Sequence, residues 1–426
     1  MQKTLLALCI VAATTLVGCN EDTVYVDVPV VTDPNPIVLP EPIAGPEKIM
    51  TPRNVVYLSL GRYESTLMQN VEARGAEITD YFISFINPSA TITGEVQPMS
   101  EAQKRDFDKL MTYANKENPN ARIYLAIGGW RGQDSGFDLE FEEIARDPVK
   151  RELFINSMMN LVEMYDADGI DIDWEYPRVD TEDRKFAQEY ALFVREIANE
   201  LHLKGKLLSS AILGVQDKVT DDGNADAYLD STLVDFDSLN LMAYDMDFEN
   251  HSTYQHAADA INYWVNERGY DAQRTILGLP AYSRNNWKDW NYLTLQHPSQ
   301  QSAVMSGEWP INDLGEVVSP EGYSVVNACR NTFEFTPNLS EPNKVFTNYY
   351  NGIPLIIKKA QLAMIEGLGG VMFWEAPLDA AKQEFSLIHA THVTMNNLAI
   401  DNVCTQNPTW IVNDHTVDNG KLPTVE

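Results

Sequence analysis

The chain has 426 residues, of which 44% are hydrophobic, so it can bury a large core in one large domain or two smaller ones. Its 62 acidic against 31 basic side chains give a formal net charge of −31 at pH 7. Because polyanions repel one another, this charge argues against nucleic acid or an anionic lipid surface as a partner.

The first 18 residues predict export. Lys3 precedes an apolar run that is too short to span a bilayer, and small residues follow, as in a secretory signal peptide. The letters LVGC at residues 16–19 resemble the bacterial lipobox, which implies cleavage before Cys19 and diacylation of its thiol. An ordinary signal peptide with an incidental cysteine is the alternative. We expect a monomer in the bacterial cell envelope, lipid-anchored at the outer membrane or cell surface.

Residues 19–52 contain seven prolines, and proline lacks the backbone donor that helices and sheets need. We therefore predict an extended, semi-rigid tether here, at about 3.1 Å per residue. Residues 401–426 are predicted to be a C-terminal tail. Once the signal peptide is removed and Cys19 is acylated, Cys329 and Cys404 are left. In an oxidising compartment these two form either a disulfide or two separate buried thiols.

Residues 53–400 alternate between short β-branched segments and amphipathic helical patterns, one of which begins at Asp147 as N-cap with Pro148 in its first turn. This alternation predicts an α/β fold, either a (β/α)₈ barrel or a doubly wound open sheet. Residues 285–350, between the seventh strand and the seventh helix, form a segment far longer than a usual loop. We therefore predict an insertion of unspecified form there. The eight predicted strands are NVVYLSL, YFISFI, RIYLAIG, GIDIDW, LLSSAIL, SLNLMAY, TILGLPA and GVMFWEA.

The fourth predicted strand carries a row of acids. Asp171, Asp173 and Glu175 share one face, with neighbours about 6.6 Å apart, and apolar residues occupy the other face. A solvated edge strand or a calcium loop would not explain this apolar interleaving. Inside a barrel, crowding and burial raise carboxyl pKa values, so Glu175, nearest the mouth, is predicted to act as a protonated general acid. Asp168 is off the alternation and is predicted to brace the strand from just before it.

These acids also carry a family resemblance. DGIDIDWEYP, at residues 168–177, resembles the DxxDxDxE signature of the family 18 glycoside hydrolases, the chitinase family. AIGGW at 126–130, NLMAYD at 240–245, GLPAYSR at 278–284 and GGVMFW at 369–374 are similar to that family's motifs on strands 3, 6, 7 and 8. The resemblance extends across the predicted barrel and implies a TIM barrel.

The resemblance implies substrate-assisted hydrolysis, in which the substrate's own 2-acetamido group attacks the anomeric carbon. Glu175 would protonate the glycosidic oxygen, Asp173 with Asp171 behind it would hold the acetamido N–H, and Tyr244 would bind the acetamido oxygen. No cofactor and no metal are implied. The residues expected to bind substrate are Asp245, Met242, Trp374, Arg284, Trp130 and Tyr282, with Gly128 and Gly129 as structural residues and Trp287 and Trp290 as further stacking candidates.

Two positions differ from the family pattern or leave it open. Ala126 stands where the family's serine donates a hydrogen bond to the inner aspartate, and the register of Tyr57 on the first strand is ambiguous. We therefore expect weaker support for Asp171 and modest activity, with water or another side chain replacing the serine. The predicted substrate is chitin or N-acetylglucosamine oligosaccharides. The alternatives are an endo-β-N-acetylglucosaminidase acting on N-glycans and a lectin-like protein that binds chitin oligosaccharides without cutting them.

Overall fold

The eight predicted strands form a closed parallel barrel in the computed structural model. They are Arg53–Ser59 (β1), Asp80–Ser84 (β2), Arg122–Gly128 (β3), Gly169–Asp173 (β4), Leu207–Leu213 (β5), Ser238–Met242 (β6), Thr275–Pro280 (β7) and Gly370–Trp374 (β8). Neighbours in sequence pair in parallel, and β8 closes the barrel against β1. The structure confirms the predicted (β/α)₈ barrel and excludes the alternative, a doubly wound open sheet. The structure describes residues 37–408 except 47–51, 62–70, 89–92, 131–135, 178, 180–184, 216–224, 247–250, 285–289, 292–315, 319–323, 336–345, 381 and 407.

Helices surround the barrel, and the third begins as the sequence predicts. The Asp147 side chain accepts hydrogen bonds from the backbone N–H groups of Val149 and Lys150, and Pro148 occupies the first turn. No helix in the described ranges is long and apolar enough to cross a membrane. The described α-helices are Glu101–Glu117 (α1), Gly136–Arg146 (α2), Pro148–Met164 (α3), Lys185–Leu203 (α4), Asp230–Leu233 (α5), Tyr254–Ile261 (α6), Ile353–Ile365 (α7), Leu387–Met395 (α8) and Val403–Gln406 (α9).

The insertion between β7 and α7 contains short antiparallel strand pairs, a form that the sequence did not predict. The backbones of Arg284 and Tyr349 exchange hydrogen bonds of 2.9 and 3.1 Å, which fasten the end of the insertion beside the carboxyl end of β7. The described pairs are Tyr282–Ser283 with Trp290–Asn291, Glu316–Val318 with Ser324–Asn327, and Thr332–Phe335 with Phe346–Tyr349.

Residues 37–46, named here the strap, pack along α4, so the extended, semi-rigid tether predicted over residues 19–52 does not include this part, which is docked on the domain. Proline carbonyls still accept hydrogen bonds, and α4 presents polar side chains that also bind the few donors of the strap. The hydrogen bonds are Ile37 N to Gln188 (3.1 Å), Ile43 N to Asn199 (2.8 Å), Asn199 to Glu41 O (3.0 Å), Arg195 to Pro40 O, and His202 to Ile43 O (2.7 Å). Residues 1–36, with the predicted signal peptide and Cys19, lie outside the described residues.

Cys329 and Cys404 form a disulfide, which decides between the two expectations for these thiols. The bond joins the insertion to α9 across 75 residues of sequence. Constraining a loop of that length in the unfolded chain contributes on the order of 4 kcal/mol to stability in the chain-entropy treatment. Residues 401–406 therefore belong to the folded domain, and the expected start of a tail at residue 401 is wrong. Residues 409–426 lie outside the described residues.

The amino-terminal end of the barrel is held by charged side chains. Asp80 is fully buried and accepts hydrogen bonds from Arg53 on β1 and Arg122 on β3. Burial alone would raise the pKa of Asp80, but the two guanidinium groups lower it to about 2. Asp168 lies immediately before β4, as predicted, and accepts a hydrogen bond of 2.8 Å from the N–H of Ile123 on β3, a contact that is compatible with the predicted bracing role.

Candidate active site

The acids of β4 lie inside the barrel, as their alternation predicts. Asp171 and Asp173 are 0% and 3% exposed, and Glu175 lies half-buried two residues beyond the carboxyl end of the strand. Trp174 points the other way and stacks on Phe141 of α2, with ring centroids 5.1 Å apart. The carboxyl end of β4 therefore presents a row of acids that ends at the mouth of the barrel.

Asp171 receives hydrogen bonds from three other strands. The Tyr57 hydroxyl on β1 donates to Oδ2 at 2.8 Å. Ser209 on β5 and Asn240 on β6 donate to Oδ1 at 2.7 and 3.2 Å. Tyr57 thus faces inward, which resolves its register. The weak support expected for Asp171 is not found, and of the two expected replacements for the serine, water or another side chain, the structure shows a side chain, Ser209. Sequence reasoning missed Ser209 and Asn240, although each is a polar residue inside an otherwise apolar strand.

Burial dominates the ionisation of the two inner acids. It raises the pKa of Asp171 to about 6, although the bonds from Ser209, Tyr57 and Asn240 lower that pKa. Burial, followed by the charges of Glu175 and Asp171, raises the pKa of Asp173 well above its usual value. Asp173 Oδ1 has no hydrogen-bond partner in the part of the chain that the structure describes. The pair therefore holds a proton more tightly than isolated carboxyl groups do.

Two tyrosines face the acids at the mouth. The Tyr244 ring is almost fully buried just after β6, and burial followed by the charges of Asp173 and Glu175 raises the pKa of Tyr244 well above its usual value. Tyr176 shares a side-chain hydrogen bond with Glu175, and burial raises its pKa as well. Both hydroxyls therefore remain neutral and available as donors. Sequence reasoning singled out Tyr244 and missed Tyr176, although Tyr176 directly follows Glu175.

Asp245 forms a polar wall with the residues around it. Arg284 donates to both its oxygens at 2.7 and 2.6 Å, and Tyr282 and His251 donate at 2.9 and 3.2 Å. Burial alone would raise the pKa of Asp245, but the bonds from Arg284 and His251 lower it below its usual range. The predicted meeting of Asp245 and Arg284 is confirmed. The Tyr282 ring packs against Tyr244 and His251 and is 8% exposed, as Tyr244 is, so its expected contact with substrate stays a prediction.

The apolar side chains expected to contact sugar fall into two groups. Trp374, at the end of β8, is half-buried and stacks on Phe85 with centroids 5.5 Å apart. Trp130 is 56% exposed and its ring lies 6.5 Å from that of Tyr176, so it has open surface at the mouth. Met242 is 6% exposed and packs within the core, so a contact with substrate stays a prediction for it. Trp287 lies outside the described residues, and Trp290 is described only as part of a short strand.

Gly128 and Gly129 permit the close approach of β3 to β4. A Cβ at Gly128 would lie 1.9 Å from the carbonyl oxygen of Asp173, and one at Gly129 would lie 2.3 Å from the Phe85 ring. Both have positive φ, at 128° and 90°. The N–H of Gly129 donates to that same Asp173 oxygen at 2.7 Å, which is compatible with the structural role predicted for both glycines.

Comparison with known proteins gives the family context. The sequence profile described as glycosyl hydrolases family 18 matches residues 53–379. Probable chitinase 10 of Drosophila melanogaster is 26% identical over 315 residues, which cover 66% of this chain and 13% of that protein. Chitinase A1 of Niallia circulans is 25% identical over 305 residues, which cover 62% of this chain and 42% of that protein. The chain thus spans less than half the length of these two relatives.

Solved structures share the fold. The chitinase-like agglutinin of Robinia pseudoacacia superposes with a TM-score of 0.59 at 18% sequence identity, over 80% of this chain and 99% of that one. At this identity the likeness concerns the barrel and its connections, and the side chains of the mouth have to be assessed by their own geometry.

Proposed function

We propose that this chain, which belongs to the glycosyl hydrolases family 18, hydrolyses β-1,4 linkages between N-acetylglucosamine units of chitin or its oligosaccharides. The observation that carries the proposal is the acid row of β4, in which a buried, proton-holding pair leads to half-buried Glu175 at the mouth. Burying several acidic side chains costs free energy, so a row of this kind is expected where the acids have a function.

The proposed reaction is substrate-assisted and retains the anomeric configuration. Glu175 gives its proton to the glycosidic oxygen, while the acetamido carbonyl oxygen attacks the anomeric carbon and an oxazolinium ion forms. Asp173 accepts a hydrogen bond from the acetamido N–H with the oxygen that lacks a protein partner, and Tyr244 donates to the acetamido oxygen. Water then opens the ring, with Glu175 taking back a proton. Each group thus faces an atom on which charge develops.

The two alternative functions would use the side chains at the mouth of the barrel differently. A lectin-like function needs sugar binding without the acid, whereas Glu175 is present here with a tyrosine hydroxyl bonded to it. An endo-β-N-acetylglucosaminidase would use the same acids on N-glycan cores. The motifs DWEYP and MAYD favour chitin over N-glycans as the substrate.

The test is hydrolysis of a fluorogenic chitotrioside by wild type and Glu175→Gln, with Glu163→Gln on the exposed face of α3 as the matched control. We expect Glu175→Gln to lose at least about a hundredfold in kcat and to keep binding chito-oligosaccharides, because only the transferable proton is removed. Early products followed by NMR should be β-anomers. Retention of more than about a tenth of wild-type kcat would reject Glu175 as the acid. A wild type that binds sugar but cuts nothing would favour the lectin.

We also propose that the protein is a lipid-anchored envelope protein, with Cys19 as its acylated N-terminus. The proposal is supported by the lipobox-like letters LVGC after an apolar run.

A further inference from the structure

We infer that Ser209 is a positioning residue for catalysis, which supplies to Asp171 from β5 the hydrogen bond that Ala126 on β3 lacks. The inference rests on the proposed function and concerns how the inner acid of the row is kept ionisable.

The strand register places Ala126 on β3 and Ser209 on β5 at equivalent positions on either side of Asp171. Asp171 pairs directly with Ala126 on one side and with Ser209 on the other. All three side chains are fully buried, so no bulk water reaches the carboxylate between them. Of these two neighbours, only Ser209 carries a donor, and its hydroxyl oxygen lies 2.7 Å from Asp171 Oδ1.

The remaining donors do not make Ser209 redundant. Tyr57 donates to the other oxygen, Oδ2. The Asn240 side-chain NH₂ group donates to the Tyr57 hydroxyl at 3.0 Å and to Asp171 Oδ1 at 3.2 Å. Without the Ser209 hydroxyl, the longer bond is the one that Oδ1 would keep among the described residues. A buried carboxylate that loses its shortest hydrogen bond becomes harder to ionise.

The consequence reaches the reaction through Asp173. Because the two acids titrate as a pair, a weaker acid at Asp171 draws the shared proton inward and moves the ionisation of the pair to higher pH. The substitution leaves the other facing groups in place, so a change in titration can be assigned to the lost hydroxyl. Those groups are Asp173, Glu175, Tyr57, Tyr244, Tyr228 and Arg53.

The test moves the hydroxyl from one side of Asp171 to the other. The variants are Ser209→Ala, the double variant Ala126→Ser/Ser209→Ala, and Ser209→Thr, which keeps the hydroxyl. Ser210→Ala is the matched control, because Ser210 is equally buried on the same strand but bonds to the Ile172 carbonyl and to Tyr190 and Tyr228, and not to Asp171. The readouts are the pH dependence of kcat/KM on the chitotrioside, and the ¹³C NMR titration of aspartate carboxyl carbons in the sugar-free protein, with Asp171→Asn for assignment.

We expect Ser209→Ala to move the acidic limb of kcat/KM and the Asp171 titration up by about one pH unit, a tenfold loss at acidic pH. Ser209→Thr and the double variant should return both towards wild type, and Ser210→Ala should leave both in place. Unchanged titration in Ser209→Ala, or no recovery in the double variant, would overturn the inference. If Ser209→Ala does not fold, the Ser209→Thr and double variants decide by the same NMR titration. A wild type without hydrolytic activity would reject the proposed function, whereas the NMR titration would still decide the role of Ser209.

Discussion

At the scale of single residues, the ionisation of Asp171 is set by side chains that lie far apart in sequence. Its donors stand on β1, β5 and β6, and full burial outweighs all of them in raising its pKa. Folding therefore makes this carboxyl group a weaker acid. The free-energy cost of ionising it in the folded state should appear in the pH dependence of stability.

We predict that the contribution of the Asp171 carboxyl group to folding stability decreases as the pH rises. The folded state binds the proton more tightly than the unfolded chain, so the stabilisation is fully present below the ordinary pKa of 3.8 and is lost as the pH rises through about 6. Asp171→Asn should remove this dependence, since the hydroxyls of Tyr57 or Ser209 can rotate to accept from the new amide. The measurement is the free energy of unfolding in urea from pH 4 to 7. Parallel curves for wild type and variant over that range would contradict the prediction.

The residue scale also shows what a sequence can reveal about a site. The acid row, Tyr244, Asp245 and Arg284 were predictable, because each lies in a short motif near a strand end. The partners of Asp171 were only partly visible. Ser209 and Asn240 interrupt apolar strands, which marks them as inward and polar, but which carboxylate they meet depends on barrel closure and register.

At the scale of elements, local patterns predicted the barrel strands well, and contacts distant in sequence decided the rest. LLSSAIL and RIYLAIG coincide with β5 and β3, since a short, mostly apolar run bounded by helical patterns is a local signal. The strap gives no such signal. Its prolines predict extended backbone, but its position depends on α4 side chains more than 150 residues away.

We predict that the strap is ordered by Asn199 in particular. Both hydrogen bonds of the Asn199 side chain that the structure gives go to the strap, one to the N–H of Ile43 and one from its amide to the carbonyl of Glu41. Asn199→Ala should therefore speed hydrogen exchange at the Ile43 amide by about tenfold, corresponding to roughly one hydrogen bond of stability. Glu200→Ala, at the exposed neighbouring position, is the control and should change nothing. An Ile43 amide that already exchanges freely in the wild type would show that the strap is not docked in solution.

At the scale of the whole molecule, stability and chemistry lie at opposite ends of the barrel. Arg53, Asp80 and Arg122 hold the amino-terminal end with buried charge, whereas the acids of β4 lead to the carboxyl end. The Cys329–Cys404 disulfide fastens the insertion to the C-terminal helix α9. Such a bond fits the proposed export, because disulfides form and persist in oxidising compartments outside the cytosol.

The last prediction concerns what keeps the molecule at a membrane. A formal net charge of −31 disfavours attachment to anionic lipid by charge, so under the proposed anchoring acyl chains on Cys19 would supply the attachment. Cys19→Ala should therefore move the protein from the membrane fraction to the soluble one. Cys9→Ala is the matched control, because Cys9 lies inside the predicted signal peptide and leaves with it.

The measurement is the protein found in membrane and soluble fractions of expressing cells, together with the mass of the N-terminal peptide. We expect wild type and Cys9→Ala to remain with membranes and to begin with a diacylated Cys19. Diacylation matters here because one acyl chain gives only marginal, reversible binding, whereas two hold a protein stably. Equal membrane association of Cys19→Ala and wild type would contradict the anchor, and an unmodified N-terminal peptide would favour an ordinary signal peptide with an incidental cysteine.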